Sequence, residues 1–259
     1  MSKLASKLER PPYVHNFVRY IYPDVPQTTK ALVSFALGRP PYTYLAGNKV
    51  IADRILLGID RLTALKAAAQ HGHQKSRPLN VEYVDAFFDY DESIGLSRLP
   101  SFDQVVEPFR ISRSISVPVK PLAVCSEAGR LKAVFSVGWA SMPLIRSQWR
   151  LLFTMIEDAV FTLSDFRDAD GVFCAFPRTH KAMPGSRAAL VASRGDYELL
   201  NSSELQEQLD VYLTALENSQ SILRAMVEPV DMQETVATKH PEPSQPDLFS
   251  RLLHRPPAI

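Results

Sequence analysis

The chain has 259 residues, of which 46% are hydrophobic and 22% are charged, and these are ordinary values for a globular protein. The formal net charge of +1 excludes a global field that would draw the whole protein onto nucleic acid or an anionic membrane. The N-terminus lacks the apolar core of a signal peptide, and no uncharged apolar run approaches the roughly 18 residues of a membrane span. We therefore expect a cytoplasmic protein without a membrane partner.

The first part of the chain predicts an irregular arm followed by helices. Four prolines within residues 1–27 favour an irregular N-terminal arm or a short strand, because proline interrupts helices. Capping residues and helical periodicity then predict four helices, over residues 28–37, 48–70, 80–90 and 101–109.

The hydrophobic pattern changes after Arg110. Apolar residues at alternate positions over 111–119 are typical of a strand, and segments 122–126 and 131–139 predict a hairpin. The later elements are predicted as a buried helix over 142–163, strands over 171–176 and 188–191, and a helix from Ser203 that ends before Pro229. This order predicts an α+β fold, with helices around a small antiparallel sheet and residues 1–227 in one globular domain.

The body of the chain has no recognisable catalytic motif. It contains no nucleophile elbow, P-loop or dinucleotide-binding glycine turn, which disfavours an enzyme without excluding a site built from scattered residues. His71 and His73 offer only two metal ligands, so we predict no metal site and no cofactor.

A group of acidic residues follows the helical period of the segment 80–90. Carboxylates clustered in this way can hold Mg²⁺ for phosphoryl chemistry, although such clusters are more often the solvated face of an amphipathic helix. Glu82, Asp85 and Asp89 share one helical face at i, i+3 and i+7, and Asp91 and Glu92 lie nearby in the sequence.

Five basic residues lie close together on the predicted strands and hairpin: Arg110, Arg113, Lys120, Arg130 and Lys132. Such a group can contact a phosphate backbone, and the same residues can equally be surface charges balanced by nearby acids. They are our candidates for a DNA contact of the body.

The composition changes at the C-terminal end. Residues 228–259 contain six prolines and no glycine. The segment 230–244 has too few apolar residues to offset the entropy of ordering it, so we predict a flexible linker with a reach of roughly 20–25 Å.

The predicted linker leads to the segment Gln245-Pro246-Asp247-Leu248-Phe249. These five residues resemble the bacterial sliding-clamp-binding motif, Gln-x-Asp/Ser-Leu-Phe, of clamp-dependent polymerases and repair proteins. The resemblance implies that Gln245 hydrogen-bonds at the rim of the clamp pocket while Leu248 and Phe249 fill its apolar floor. Asp247 matches a common choice at its position, whereas Pro246 replaces the frequent leucine.

The same letters are also typical of a helix start, with Ser244 as the cap and Pro246 in the first turn. Such a helix would carry one apolar face, formed by Leu248, Phe249, Leu252 and Leu253. It could dock on its own body or on a neighbour in a larger assembly.

Three hypotheses follow from the sequence. The first is a non-enzymatic accessory protein of bacterial or mobile-element DNA replication, repair or transfer, tethered to the DNA polymerase sliding clamp. The second is a structural subunit that docks through its terminal helix, and the third is an enzyme with a site among the acids of 82–92.

Overall fold

The computed structural model describes residues 3–38, 44–94, 105–127, 129–179 and 186–226. Eight α-helices lie within these ranges: α1 Lys3–Leu8, α2 Val14–Phe17, α3 Val25–Leu37, α4 Leu45–Leu57, α5 Arg61–Gln70, α6 Arg77–Ile94, α7 Arg146–Ile156 and α8 Ser202–Ala225. The strands are β1 Glu107–Arg110, β2 Ser116–Val119, β3 Ala123–Glu127, β4 Arg130–Val137, β5 Asp170–Ala175 and β6 Leu190–Ser193. These elements confirm the α+β class.

The strands form two sheets. β1 and β2 make a two-stranded antiparallel sheet, and the larger sheet has the strand order β3-β4-β5-β6. Its central pair, β4 and β5, is parallel, with Phe135 opposite Phe173, whereas the outer pairs are antiparallel. The sequence predicted an antiparallel sheet, but the larger sheet is mixed. The chain crosses back through α7 between β4 and β5, so β5 runs in the same direction as β4.

The larger sheet separates two hydrophobic clusters. On β4, Phe135 and Val137 belong to a first cluster that includes residues of α3, α7 and α8, whereas Val134 belongs to a second cluster with residues of α4, α5 and α6. β5 alternates in the same way, with Phe173 in the first cluster and Cys174 in the second. The strand period of two therefore gives the sheet two apolar faces, each covered by helices.

The predicted helix over 48–70 is wrong as a single element, because two helices occupy this segment. α4 ends at Gly58, whose φ of 71° places it in the left-handed region that a glycine adopts without steric cost. Asp60 then begins α5 by accepting a hydrogen bond from the Thr63 backbone N–H. The glycine ends one helix and the aspartate starts the next.

The N-terminal arm is helical over much of its length rather than irregular. α1 precedes Pro11, whereas α2 and a 3₁₀ turn at Val18–Tyr20 lie between Pro12 and Pro23, and Val14 and Phe17 are buried in the first cluster. Prolines exclude a long helix but permit short ones between them. Burial of apolar side chains stabilises these turns despite their length.

Two further boundaries differ from the predictions. The helix predicted over 101–109 is wrong for residues 107–109, which lie in β1, and residues 101–104 are outside the described part of the chain. The strand predicted over 111–119 contains a chain reversal, closed by a hydrogen bond from the Ile111 N–H to the Ile115 carbonyl. The alternation of apolar residues continues across this short turn, so the sequence pattern looks the same as that of one continuous strand.

The two largest helices after β4 were predicted with shifted ends. The segment predicted as a helix over 142–163 forms α7 and then a π-helical turn, Glu157–Phe161. α8 begins at Ser202, and its cap is Asn201 rather than Ser203, because Asn201 and Glu204 form the capping box. None of the described helices combines the length and apolarity needed to cross a membrane. Residues 227–259, with the predicted linker and terminal motif, lie outside the described residues.

His15 in α2 is the histidine whose environment changes its protonation most clearly. Its ring lies beside those of Tyr13 and Trp139, with centroids 6.2 Å away in each case. Burial, with a smaller contribution from the like charge of Arg19, lowers the pKa of His15 to about 4. The folded protein therefore keeps this imidazole neutral at pH values where an unfolded chain would protonate it.

We predict that this histidine makes stability fall with acidification between about pH 6.5 and 4. In that window the unfolded chain binds a proton that the folded chain does not, so the free energy of unfolding decreases, by about 1–3 kcal/mol in total. Urea unfolding of the wild type and of His15→Gln at several pH values measures this difference. The loss with falling pH should be smaller in His15→Gln.

The matched control is His71→Gln, because His71 is exposed in the folded chain. Its pH dependence should follow that of the wild type. Equal pH dependence in His15→Gln and the wild type would contradict the prediction.

Candidate functional site

Polar side chains meet at the carboxyl ends of the parallel strands β4 and β5. The chain leaves β4 at Gly138 and β5 at Phe176, and ligands of open α/β sheets bind outside this edge of a parallel pair. Glu82 from α6 reaches this edge, as do Arg178 and Arg187 from the segment between β5 and β6. We call these three residues the arginine cluster.

Arg187 is the centre of the arginine cluster, and its side chain is fully buried. Its Nη1 donates to the carbonyl oxygens of Gly138 at 3.0 Å and Phe176 at 2.7 Å. Its Nε lies 3.3 Å from an oxygen of Glu82, and its Nη2 donates to the hydroxyl of Tyr44 at 3.2 Å. One guanidinium therefore joins the ends of both parallel strands to α6.

Glu82 is the shared acceptor of the arginine cluster. Arg178 donates from Nε to Oε2 at 3.0 Å and from Nη2 to Oε1 at 2.9 Å. Arg178 and Arg187 lie opposite each other in an isolated antiparallel bridge, which directs both side chains to the same carboxylate. Because two cations hold this carboxylate through charge-assisted hydrogen bonds, the cluster is suited to fixing the fold.

A neutral hydrogen-bond network lies beside the arginine cluster. The Tyr83 hydroxyl lies 2.6 Å from the Ser136 hydroxyl and donates to Asn48 at 2.9 Å. Burial raises the pKa of Tyr83 above its ordinary value, so the phenol keeps its proton. The network ties α4 and α6 to β4 and supplies no activated nucleophile.

The acidic residues of α6 are paired with arginines. Arg61 contacts three of them, Asp85 at 2.6 Å, Asp89 at 2.7 Å and Glu92 at 3.4 Å. The other pairs are Asp91 with Arg54, and Glu82 with Arg178 and Arg187. Within the described ranges, no group of three His, Cys, Asp or Glu side chains could hold a metal ion. The acids thus join α6 to its neighbours.

The five basic residues predicted to contact nucleic acid divide between the two sheets. Arg110, Arg113 and Lys120 lie on or next to the β1–β2 hairpin, and Arg130 and Lys132 lie on β4. Arg130 contacts the carboxylate of Asp170 at 3.5 Å and the carbonyl of Asp168 at 3.1 Å. Arg110 and Arg113 are exposed and belong to none of the ion pairs of the described residues. The charge of these two hairpin arginines is therefore not balanced by an ion pair among the described residues.

The residues predicted to bind a partner lie outside the described part of the chain. They are Gln245, Asp247, Leu248, Phe249, Leu252 and Leu253.

A cavity of about 210 Å³ lies between α7, the π-helical turn, β5 and the turn after β6. It is lined by Phe135, Phe153, Ile156, Glu157, Phe161, Gly171, Val172, Phe173, Arg194, Gly195, Tyr197 and Leu199. We call it the aromatic cavity. Tyr197 stacks on Phe153, with ring centroids 4.9 Å apart and planes 13° from parallel. Trp149 stacks on the Tyr197 ring at 5.2 Å, which supports this wall of the cavity.

The aromatic cavity also has one polar corner. Arg194 donates to both oxygens of Glu157, and its Nη1 donates to the Ala169 carbonyl at 2.7 Å. The guanidinium lies 4.3 Å from the centroid of the Phe161 ring. The phenyl ring of Phe161 fits because residue 171 is glycine, where a Cβ atom would lie 2.6 Å from the ring.

Sequence reasoning missed the two arginines of the cluster and the pair that borders the cavity. Arg178 and Arg187 are separated from Glu82 by about a hundred residues, and no periodic pattern links them. Arg194 and Glu157 come from different segments in the same way. The sequence signal that came nearest to the cluster was Glu82, an acidic residue among the apolar residues of α6 that are buried.

No known family profile matches the chain, and no curated protein is similar to it in sequence.

We predict that Arg187→Leu lowers the free energy of unfolding by about 3–5 kcal/mol. The substitution leaves two strand-end carbonyls without their donor and removes one of the two cations that hold Glu82, and breaking a buried pair has a cost of this size. Urea unfolding followed by circular dichroism measures the change.

Arg61→Leu is the matched control, because it removes an arginine that also pairs with α6 but on a more exposed surface. Its cost should stay below about 1 kcal/mol. Similar losses in the two variants would show that the buried position of Arg187 has no special role.

Proposed function

We propose that this chain is a non-enzymatic accessory protein of bacterial or mobile-element DNA metabolism, attached by its C-terminal segment to the DNA polymerase sliding clamp. The observation that carries the proposal is the segment Gln245-Pro246-Asp247-Leu248-Phe249, with its resemblance to the clamp-binding motif. The proposal places the protein in the cytoplasm, where the clamp is found.

The physical basis of the attachment is a short peptide with two adjacent apolar anchors and one polar residue that orients them. Leu248 and Phe249 can fill a small preformed pocket, and the Gln245 amide can both donate and accept at its rim. The entropy lost when the peptide is ordered opposes these contacts. We therefore expect a micromolar dissociation constant, which corresponds to a binding free energy of roughly −8 kcal/mol.

The arrangement of the body is compatible with a role in binding rather than in chemistry. The carboxylates of α6 are held by arginines, and the Tyr83 phenol keeps its proton. The exposed cations of the β1–β2 hairpin, Arg110 and Arg113, are the residues that we infer to contact a phosphate backbone.

We predict that Leu248→Ala/Phe249→Ala abolishes capture of the full chain by an immobilised bacterial sliding clamp. Loss of two apolar anchors should weaken binding at least about 100-fold, because central anchors carry most of the energy of such interfaces. Surface plasmon resonance with the wild type and the variant measures the change.

Leu252→Ala/Leu253→Ala provides the control that separates the two interpretations of the terminal segment. A clamp-bound peptide depends on Leu248 and Phe249, whereas a docked helix depends on all four apolar residues. The control variant should bind the clamp within a few-fold of the wild type. Equal capture of all three proteins, or capture of none, would refute clamp attachment.

We predict that Arg110→Ala/Arg113→Ala weakens binding to a short DNA duplex. Each lost phosphate contact should reduce the slope of log K against log salt concentration by about 0.9, so the double variant should lose up to about 2. Fluorescence anisotropy at several salt concentrations measures both the affinity and the slope.

Lys30→Ala/Arg224→Ala removes the same charge from exposed positions on α3 and α8. This control should retain the wild-type slope. A common change in both double variants would indicate that net charge, rather than the hairpin, determines binding, and salt-independent binding would exclude a phosphate contact.

A further inference from the structure

The aromatic cavity has the size of a site for a small aromatic ligand. Its volume of about 210 Å³ exceeds the roughly 150 Å³ of an apolar cavity that holds benzene. Phe153, Tyr197 and Phe161 contribute rings to its walls, and a flat aromatic ligand can stack on them or meet their edges. The space corresponds to about two fused rings.

The polar corner of the cavity specifies what such a ligand should carry. Each oxygen of Glu157 accepts one hydrogen bond from Arg194, and a carboxylate has about four lone-pair sites. Glu157 therefore retains the capacity to accept from a ligand donor. Arg194 balances its charge, so a neutral ligand can bind without exposing the carboxylate to an unpaired, buried state.

The local backbone brings these walls together. The π-helical turn Glu157–Phe161 extends α7, and both its first and its last residue line the cavity. Turns of this kind occur frequently at functional sites, because the extra residue redirects side chains from the regular helical positions. The turn thus supplies an acceptor and an aromatic wall to the same space.

We propose that the aromatic cavity binds a small neutral molecule of about two fused aromatic rings, whose ring N–H donates to the Glu157 carboxylate. This site is independent of clamp attachment. It uses the body of the protein, whereas the clamp proposal concerns the terminal segment.

Indole is the probe for this site, and benzofuran is its matched partner, because benzofuran has the same size but lacks the N–H. In two-dimensional NMR of the full-length protein, indole should cause saturable shifts of the Gly171 and Gly195 amides and of the Trp149 side-chain N–H. The dissociation constant should be submillimolar, as expected for so few atoms. Benzofuran should bind roughly tenfold more weakly, because it cannot make a hydrogen bond to the charged carboxylate.

Leu199→Trp and Leu190→Trp form a matched pair of variants. Both leucines are partly exposed, at 41% and 37%, but only Leu199 lines the cavity. The larger side chain at position 199 should weaken indole binding at least about tenfold, whereas the change at 190 should leave it within twofold. Tyr197→Ala should also weaken binding, since it removes a ring from the wall.

Three results would overturn the assignment. The first is the absence of saturable shifts at Gly171 and Gly195, and the second is equal binding of indole and benzofuran. The third is indole binding that appears only in Phe249→Ala, since the natural occupant would then be an aromatic side chain of the terminal segment. If the wild type binds indole as expected but is not captured by the clamp, the clamp proposal alone is refuted.

Discussion

The buried contact between Arg187 and Glu82 determines how the helical layer α4–α6 sits on the sheet. A guanidinium without water is costly unless its donors find acceptors, and here two strand-end carbonyls, the carboxylate and the Tyr44 hydroxyl accept from four of its five N–H groups. The apolar contacts of this layer are not directional, whereas these hydrogen bonds have fixed angles and lengths. The contact therefore fixes the orientation of α6, and Arg54 and Arg61 extend the same connection from α6 to α4 and α5.

The other face of the sheet is organised differently. There the stacked rings of Trp149, Phe153 and Tyr197 form a wall whose pieces come from α7 and from the segment after β6. Gly171 makes room for the ring of Phe161, and both residues line the cavity beside the stacked rings. Ion pairs and hydrogen bonds thus orient the helices on one face of the sheet, and stacked rings border a cavity on the other.

The sequence predicted the features that depend on neighbouring residues. The hairpin pattern over 122–126 and 131–139 identified β3 and β4, and the apolar run over 171–176 identified β5. The helical period identified α6 and α8, because it depends only on residues close together in the sequence. The break at Gly58 could have been found from the same rules, since a glycine followed by Asp60 is a helix stop and a helix start. The arginine cluster could not have been found from these rules, because Arg178 and Arg187 meet Glu82 only after the sheet has formed. The acids of α6 were visible in the sequence, but their arginine partners were not.

The distribution of charge explains why attachment through a tether would suit this protein. The acids of α6 are paired with arginines of its neighbours, whereas Arg110 and Arg113 are exposed and belong to no ion pair of the described residues. Two phosphate contacts give only weak binding at physiological salt, so these two arginines would rarely hold DNA unaided. The predicted linker, with a reach of roughly 20–25 Å, would raise the effective concentration of the body near a bound partner to the millimolar range. Under the proposed function, the terminal segment provides the affinity and the hairpin only orients the body on the duplex.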